Sequence, residues 1–89
     1  MPYVLVLFQV EDYPRWKSAF DDSADTRKAG GVKSCQLFHI ESETNNFVIL
    51  FEWDTMENAR KFMHSPELKE KMQKTGVIGK PTITFIEKI

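Results

Sequence analysis

The sequence has little of what usually marks a known chemistry. A single cysteine, Cys35, rules out an internal disulfide, and with only two histidines, His39 and His64, there is no Cys/His spacing to hold zinc. No metal and no cofactor is expected. Such cysteine usage fits a reducing compartment, so the expected location is cytoplasmic. Charge of one sign is also missing: 12 basic and 13 acidic residues are mixed along the chain for a formal net charge of -1, and no long basic run exists to track phosphates. A nucleic-acid partner is not expected. The longest apolar run, residues 3–8, is far below the ~20 residues that cross a bilayer, and no secretion signal precedes it, so neither a membrane partner nor export is expected. Phosphate-binding glycine loops, G-x-S-x-G and nucleotide fingerprints are absent as well.

What remains is a chain of 89 residues with room for one domain, residues 1–89, and a thin core, since a domain this small buries only about 60% of its unfolded surface. Residues 3–10 are β-branched and aromatic and too few for an ordinary helix, which predicts a first strand. Asp12 and Pro14 then read as an N-cap and a first-turn proline, opening a helix with an apolar stripe of Tyr13, Trp16, Phe20 and Ala24 that ends at Gly30-Gly31. Residues 32–41 and 47–53 read as two strands joined by the turn formers 42–46. Asp54 and Glu57 resemble a capping box ahead of a helix carrying Ala59, Phe62 and Met63. Ser65-Pro66-Glu67 is a fresh helix start, with Gly76 as the stop, and residues 81–86 form the last strand.

The order β-α-β-β-α-β is the split pattern of an α+β, ferredoxin-like domain, in which helices cover one face of a four-stranded antiparallel sheet. Yet the first strand is apolar on both faces: Val4, Val6, Phe8 and Val10 alternate with Tyr3, Leu5, Leu7 and Gln9. In the third strand Phe47, Ile49, Phe51 and Trp53 alternate with Val48 and Leu50. Leaving several aliphatic side chains wet forgoes about 1.5–3 kcal/mol each, comparable in total to the stability of a small domain. A homodimer through the uncovered face, with two-fold symmetry, is therefore expected.

Several segments resemble the dimeric α/β-barrel superfamily, most closely its antibiotic-biosynthesis-monooxygenase-like branch. They are Glu11-Asp12-Tyr13 with Trp16-Lys17 and Phe20, then Phe51-Glu52-Trp53-Asp54, Asn58-Ala59-Arg60-Lys61-Phe62, and Gly76-Val77. The resemblance implies a homodimeric barrel of two sheets and, in each subunit, a pocket between sheet and helices. Its members include cofactor-independent oxygenases of aromatic polyketides, cyclases and haem-degrading oxygenases. The haem-degrading members share the stretch from Trp53 through Phe62, Ser65 and Leu68 to Lys69. They place an iron-binding histidine where this chain has Met72, and an asparagine near Phe8 that is missing here, which disfavours haem degradation.

An apolar pocket with a few polar groups is the usual form of a small-molecule site, and Phe8, Trp16, Phe20, Phe38, Phe51, Trp53 and Phe62 are its candidate liners, each also explicable as core. Arg27 is a candidate for an anionic group on a ligand, or for compensating a helix dipole. An even hairpin loop would set Gln36 among the aromatic rings, whereas an odd one would set His39 there. These two are the candidate catalytic residues, Gln36 to polarise a carbonyl and His39 to move a proton. His64 reads as an exposed helix-end residue and Cys35 as a buried, inert thiol. Two functions follow. One is a cofactor-independent oxygenase-like or cyclase-like enzyme acting on an aromatic or polycyclic molecule. The other is a binding or structural module without turnover.

Overall fold

The computed structural model describes residues 2–89, the side chain of Thr44 excepted. Its four strands are β1 (Pro2–Val10), β2 (Val32–Ile40), β3 (Glu43–Trp53) and β4 (Val77–Glu87). They pair antiparallel in the order β2-β3-β1-β4, so the most apolar strand, β1, lies inside the sheet. Each crossover carries a pair of helices, α1 (Tyr13–Asp22) and α2 (Ala24–Gly30), then α3 (Met56–Met63) and α4 (Pro66–Lys74). The fold is ferredoxin-like, with the expected β-α-β-β-α-β order doubled in its helical parts.

Two of the predicted N-caps act as their chemistry requires. Asp12 accepts from the Arg15 N–H at 3.3 Å and Ser65 from the Glu67 N–H at 3.2 Å, each supplying an acceptor to a helix start that lacks one. Gly31 closes α2 at φ +114°, and a side chain there would collide with the Asp54 carboxylate, so two reasons require glycine.

Four boundaries differ from expectation. The first helix breaks at Ser23, whose hydroxyl donates to the Ala19 carbonyl at 3.0 Å and competes with the helical ladder. The cap of α3 is Thr55, which accepts from the Asn58 N–H at 3.1 Å, while Asp54 instead accepts from the Thr55 N–H and the Asn58 side chain. Strand β3 begins at Glu43 rather than 47, because Asn46 still pairs with Gln9 on β1 and only Glu41-Ser42 turn. Strand β4 begins at Val77 rather than 81. An irregularity opposite Leu7 and Gln9, holding Gly79 at φ +68°, absorbs extra residues so that Ile78 and Val77 keep pairing.

Register assigns the faces. Val4, Val6, Phe8 and Val10 stand with Phe47, Ile49, Phe51 and Trp53 on the face the helices cover, and with Trp16 and Ala59 they make the buried core. Leu5, Leu7, Val48, Leu50, Phe38 and Ile86 stand on the other face, where Leu5, Leu7, Phe38 and Ile86 are exposed. Its one end is polar: the Tyr3 hydroxyl donates to Glu52 at 3.1 Å, which pushes the phenol upward from its ordinary pKa.

Candidate functional site

The covered face does not close completely. A cavity of about 170 Å³ lies between the sheet and the two helix pairs. Its floor is Val6, Ile49, Phe51 and Ile83, side chains that alternate inward on β1, β3 and β4.

One wall belongs to α1 and α2. Because Asp12 and Pro14 start α1 where they do, Trp16 and Phe20, four residues apart, both face the sheet. Phe8 lies 4.8 Å from Trp16 between ring centroids, and Trp16 stacks on Phe20 at 4.9 Å. The row ends on Arg27, whose guanidinium carbon sits 3.6 Å from the Phe20 ring centroid. The break at Ser23 makes this contact possible. It turns α2 back toward α1 and leaves the Phe20 carbonyl at a helix end, where Arg27 Nη1 donates to it at 2.7 Å. Burial pulls the guanidinium below its ordinary pKa, but arginine stays charged in proteins.

The facing wall belongs to α3 and α4. Phe62 and Met63 come from the first, Leu68 and Met72 from the second, so it is more pliable than the aromatic wall. Thr26, Glu67 and Lys71 are exposed as well as lining, and they mark the mouth.

Of the expected binding residues, Phe8, Trp16, Phe20, Arg27, Phe51 and Phe62 come together around this cavity. Phe38 does not, because β2 pairs Phe38 with Val48 on the uncovered face. Trp53 is fully buried in the core, against Phe62 at 5.3 Å, with its indole N–H unpartnered among the described residues. Gln36 pairs with Leu50 and stands on the uncovered face. His39 pairs with Phe47 and so shares the helix-side face, but on the edge strand it is exposed and does not line the cavity; its Nδ1 lies 3.2 Å from the Ile40 carbonyl oxygen. The face is the one the odd-loop alternative gave to His39, but the turn itself has two residues and the irregularity between His39 and Ile40 sets the register, without bringing His39 to the cavity. The same edge position leaves Cys35 exposed instead of buried. His64 is exposed and stacked on Phe85. Among the described residues no cluster of His, Cys, Asp and Glu has the arrangement of a metal site, and no helix is long and apolar enough to cross a membrane.

Sequence reasoning missed the lining residues Leu68, Met72 and Thr75. Their spacing of four and three along α4 and its C-terminal cap, Thr75, marks one helix face, a signal that was present but short.

No protein-family model and no curated protein sequence matches this chain. Solved structures do. A candidate antibiotic biosynthesis monooxygenase from Bordetella bronchiseptica aligns with a TM-score of 0.78 at 13% identity, covering 99% of this chain and 96% of that one. Another from Caulobacter crescentus CB15 aligns with a TM-score of 0.77 at 18% identity, covering 99% and 89%. SnoaB, a cofactor-independent oxygenase from Streptomyces nogalater, aligns with a TM-score of 0.72 at 13% identity, covering 99% and 94%. At such identities the likeness is one of fold, and it spans nearly the whole of each chain. The sheet order, the helix-covered face and this likeness together give the chain the fold of the antibiotic biosynthesis monooxygenase-like proteins.

Proposed function

We propose that this chain is a small-molecule-binding protein that works as a homodimer through its uncovered sheet face and acts on an aromatic substrate by cofactor-independent, monooxygenase-like or cyclase-like chemistry. The observation that carries the binding part is the cavity of about 170 Å³ with its row of Phe8, Trp16 and Phe20. The row gives the ligand an aromatic, apolar wall, and an apolar enclosure strips water from an electron-rich substrate and strengthens any charge interaction inside. The catalytic part is supported by analogy with neighbours such as SnoaB, a cofactor-independent oxygenase.

Size refines the substrate. A cavity of roughly 150 Å³ holds a benzene molecule, so one ring fits within this enclosure and a polycyclic ligand would have to extend through the mouth. Phe8, Trp16, Phe20, Arg27, Phe51 and Phe62 are the proposed contacts. Ligand binding without turnover is the second reading. It is favoured by the cavity lining, which among the described residues holds neither histidine nor Gln36 and whose one carboxylate, Glu67, stands at the exposed mouth.

Oxygen uptake by the metal-free protein with a panel of phenols of increasing ring number separates the two. Uptake that depends on substrate and is lost in Trp16→Ala supports the enzyme. Retention of an arene in native mass spectra without uptake supports the module. Turnover unchanged in His39→Ala and Gln36→Ala removes the proposed catalytic roles of those residues.

A further inference from the structure

Arg27 is 9% exposed, and among the described residues no carboxylate pairs with it. A buried charge without a counter-ion is costly, so its surroundings need an explanation. The neighbouring acid that would neutralise it, Asp21, is engaged elsewhere, held by Lys17 Nζ at 2.6 and 2.8 Å. Of the donors on the guanidinium, one bond goes to the Phe20 carbonyl and the rest have no partner among the described residues, yet none is a fully enclosed orphan. Arg27 is itself one of the residues that line the cavity.

The other hydroxyl-bearing and charged side chains of the lining are already bonded or lie at the mouth. The Ser23 hydroxyl donates to the Ala19 carbonyl and the Thr75 hydroxyl to the Lys71 carbonyl, while Ser65 caps α4. Thr26, Glu67 and Lys71 stand at the exposed rim, where solvent already serves them. The cavity therefore has an apolar, ring-lined interior and one buried cation with donors to spare. A neutral arene would leave those donors to water, whereas an anion would bond them and supply the missing counter-charge.

We propose that the cavity takes a compact aromatic carboxylate, its single ring against Trp16 and Phe20 and its carboxylate on Arg27. This rests on reading the cavity as a ligand site. The planar guanidinium is held in place by stacking on Phe20 and by its bond to the Phe20 carbonyl, which orients the remaining N–H groups before a ligand arrives.

Isothermal titration with benzoate and with benzamide, near in shape and different in charge, tests this at neutral pH. The wild-type protein is expected to prefer benzoate by about tenfold or more. Arg27→Met is expected to lose that preference while still binding benzamide, and Arg27→Lys to keep part of it. Equal binding of the two probes by the wild-type protein overturns the inference and leaves the cavity as a neutral arene site. A preference that survives in Arg27→Met overturns it too, and because the wild-type comparison needs no variant, a failure of Arg27→Met to fold does not shield it. If neither probe binds the wild-type protein, the inference falls and the cavity reading falls with it.

Discussion

On β1, Val4, Val6, Phe8 and Val10 are at most 6% exposed, whereas Leu5 and Leu7, their neighbours in the chain, are 36% and 42% exposed. The two sets are similar in hydrophobicity and belong to one strand, so intrinsic preference cannot explain the difference. What separates them is cover. On one side the capped helices α1 to α4 lie across the sheet, and on the other no element of the described residues does. The covered face could afford a gap, because the rings around it are supported from several elements, and that gap is the cavity. At its centre the uncovered face carries the core-like side chains Leu5, Leu7, Val48 and Leu50, flanked by Thr82, Thr84, Ser34 and Gln36, and an apolar patch with a polar rim is the expected form of a surface shared with a second copy.

One residue on each of the adjacent strands β3 and β1 tests this comparison most sharply. Phe51, on the covered face, is both core and cavity floor. Phe51→Ala is expected to destabilise the protein by about 3–5 kcal/mol, read from denaturant midpoints. On the uncovered face, Leu7→Glu is expected to leave the far-UV spectrum intact while changing the mass in sedimentation from twice 10.4 kDa to 10.4 kDa. A leucine withdrawn from water contributes about 1.5–3 kcal/mol, and a charge in its place opposes association further. A wild-type protein already sedimenting at 10.4 kDa would refute the dimer.

The smallest effect sharpens the comparison from the helical side. Hydrogen bonds from the Asn58 side chain, then from the Thr55 N–H, hold the Asp54 carboxyl below its usual range at the start of α3. A depressed folded-state pKa gives stability that is complete above the unfolded value of about 3.9 and is lost as pH falls through the lower folded value. Asp54→Ala is therefore expected to lower the melting temperature modestly at neutral pH, with the gap from wild type shrinking in strong acid. Because only the cover of the inner face is loosened, the sedimenting mass should not change.

Much of this architecture could be read from short stretches of chain. Asp12 with Pro14, Ser65 with Pro66, and Gly31 act locally, through the backbone groups a helix end leaves unpaired, so their meaning does not depend on distant residues. The extra length of β3 and β4 was less legible, since Asn46 and Ile78 become strand only by pairing with Gln9 on β1. The cavity lining was legible in part. Aromatic residues at helical spacing announced Trp16 and Phe20, but Phe38, Gln36 and His39 depended on a hairpin register that the turn formers 42–46 left open.

Local pattern alone thus determined the order of the strands and of the two helical crossovers, the starts of α1 and α4, the stop at Gly31, and the presence of apolar residues on both faces of the sheet, because caps, turns and alternation act over a few residues. Tertiary structure decided which apolar face is covered, how far β3 and β4 extend, and that the break at Ser23 folds Arg27 onto Phe20 beside an apolar cavity. Those outcomes depend on pairing and burial between segments far apart in the chain, whose register is selected by the packing of the whole fold.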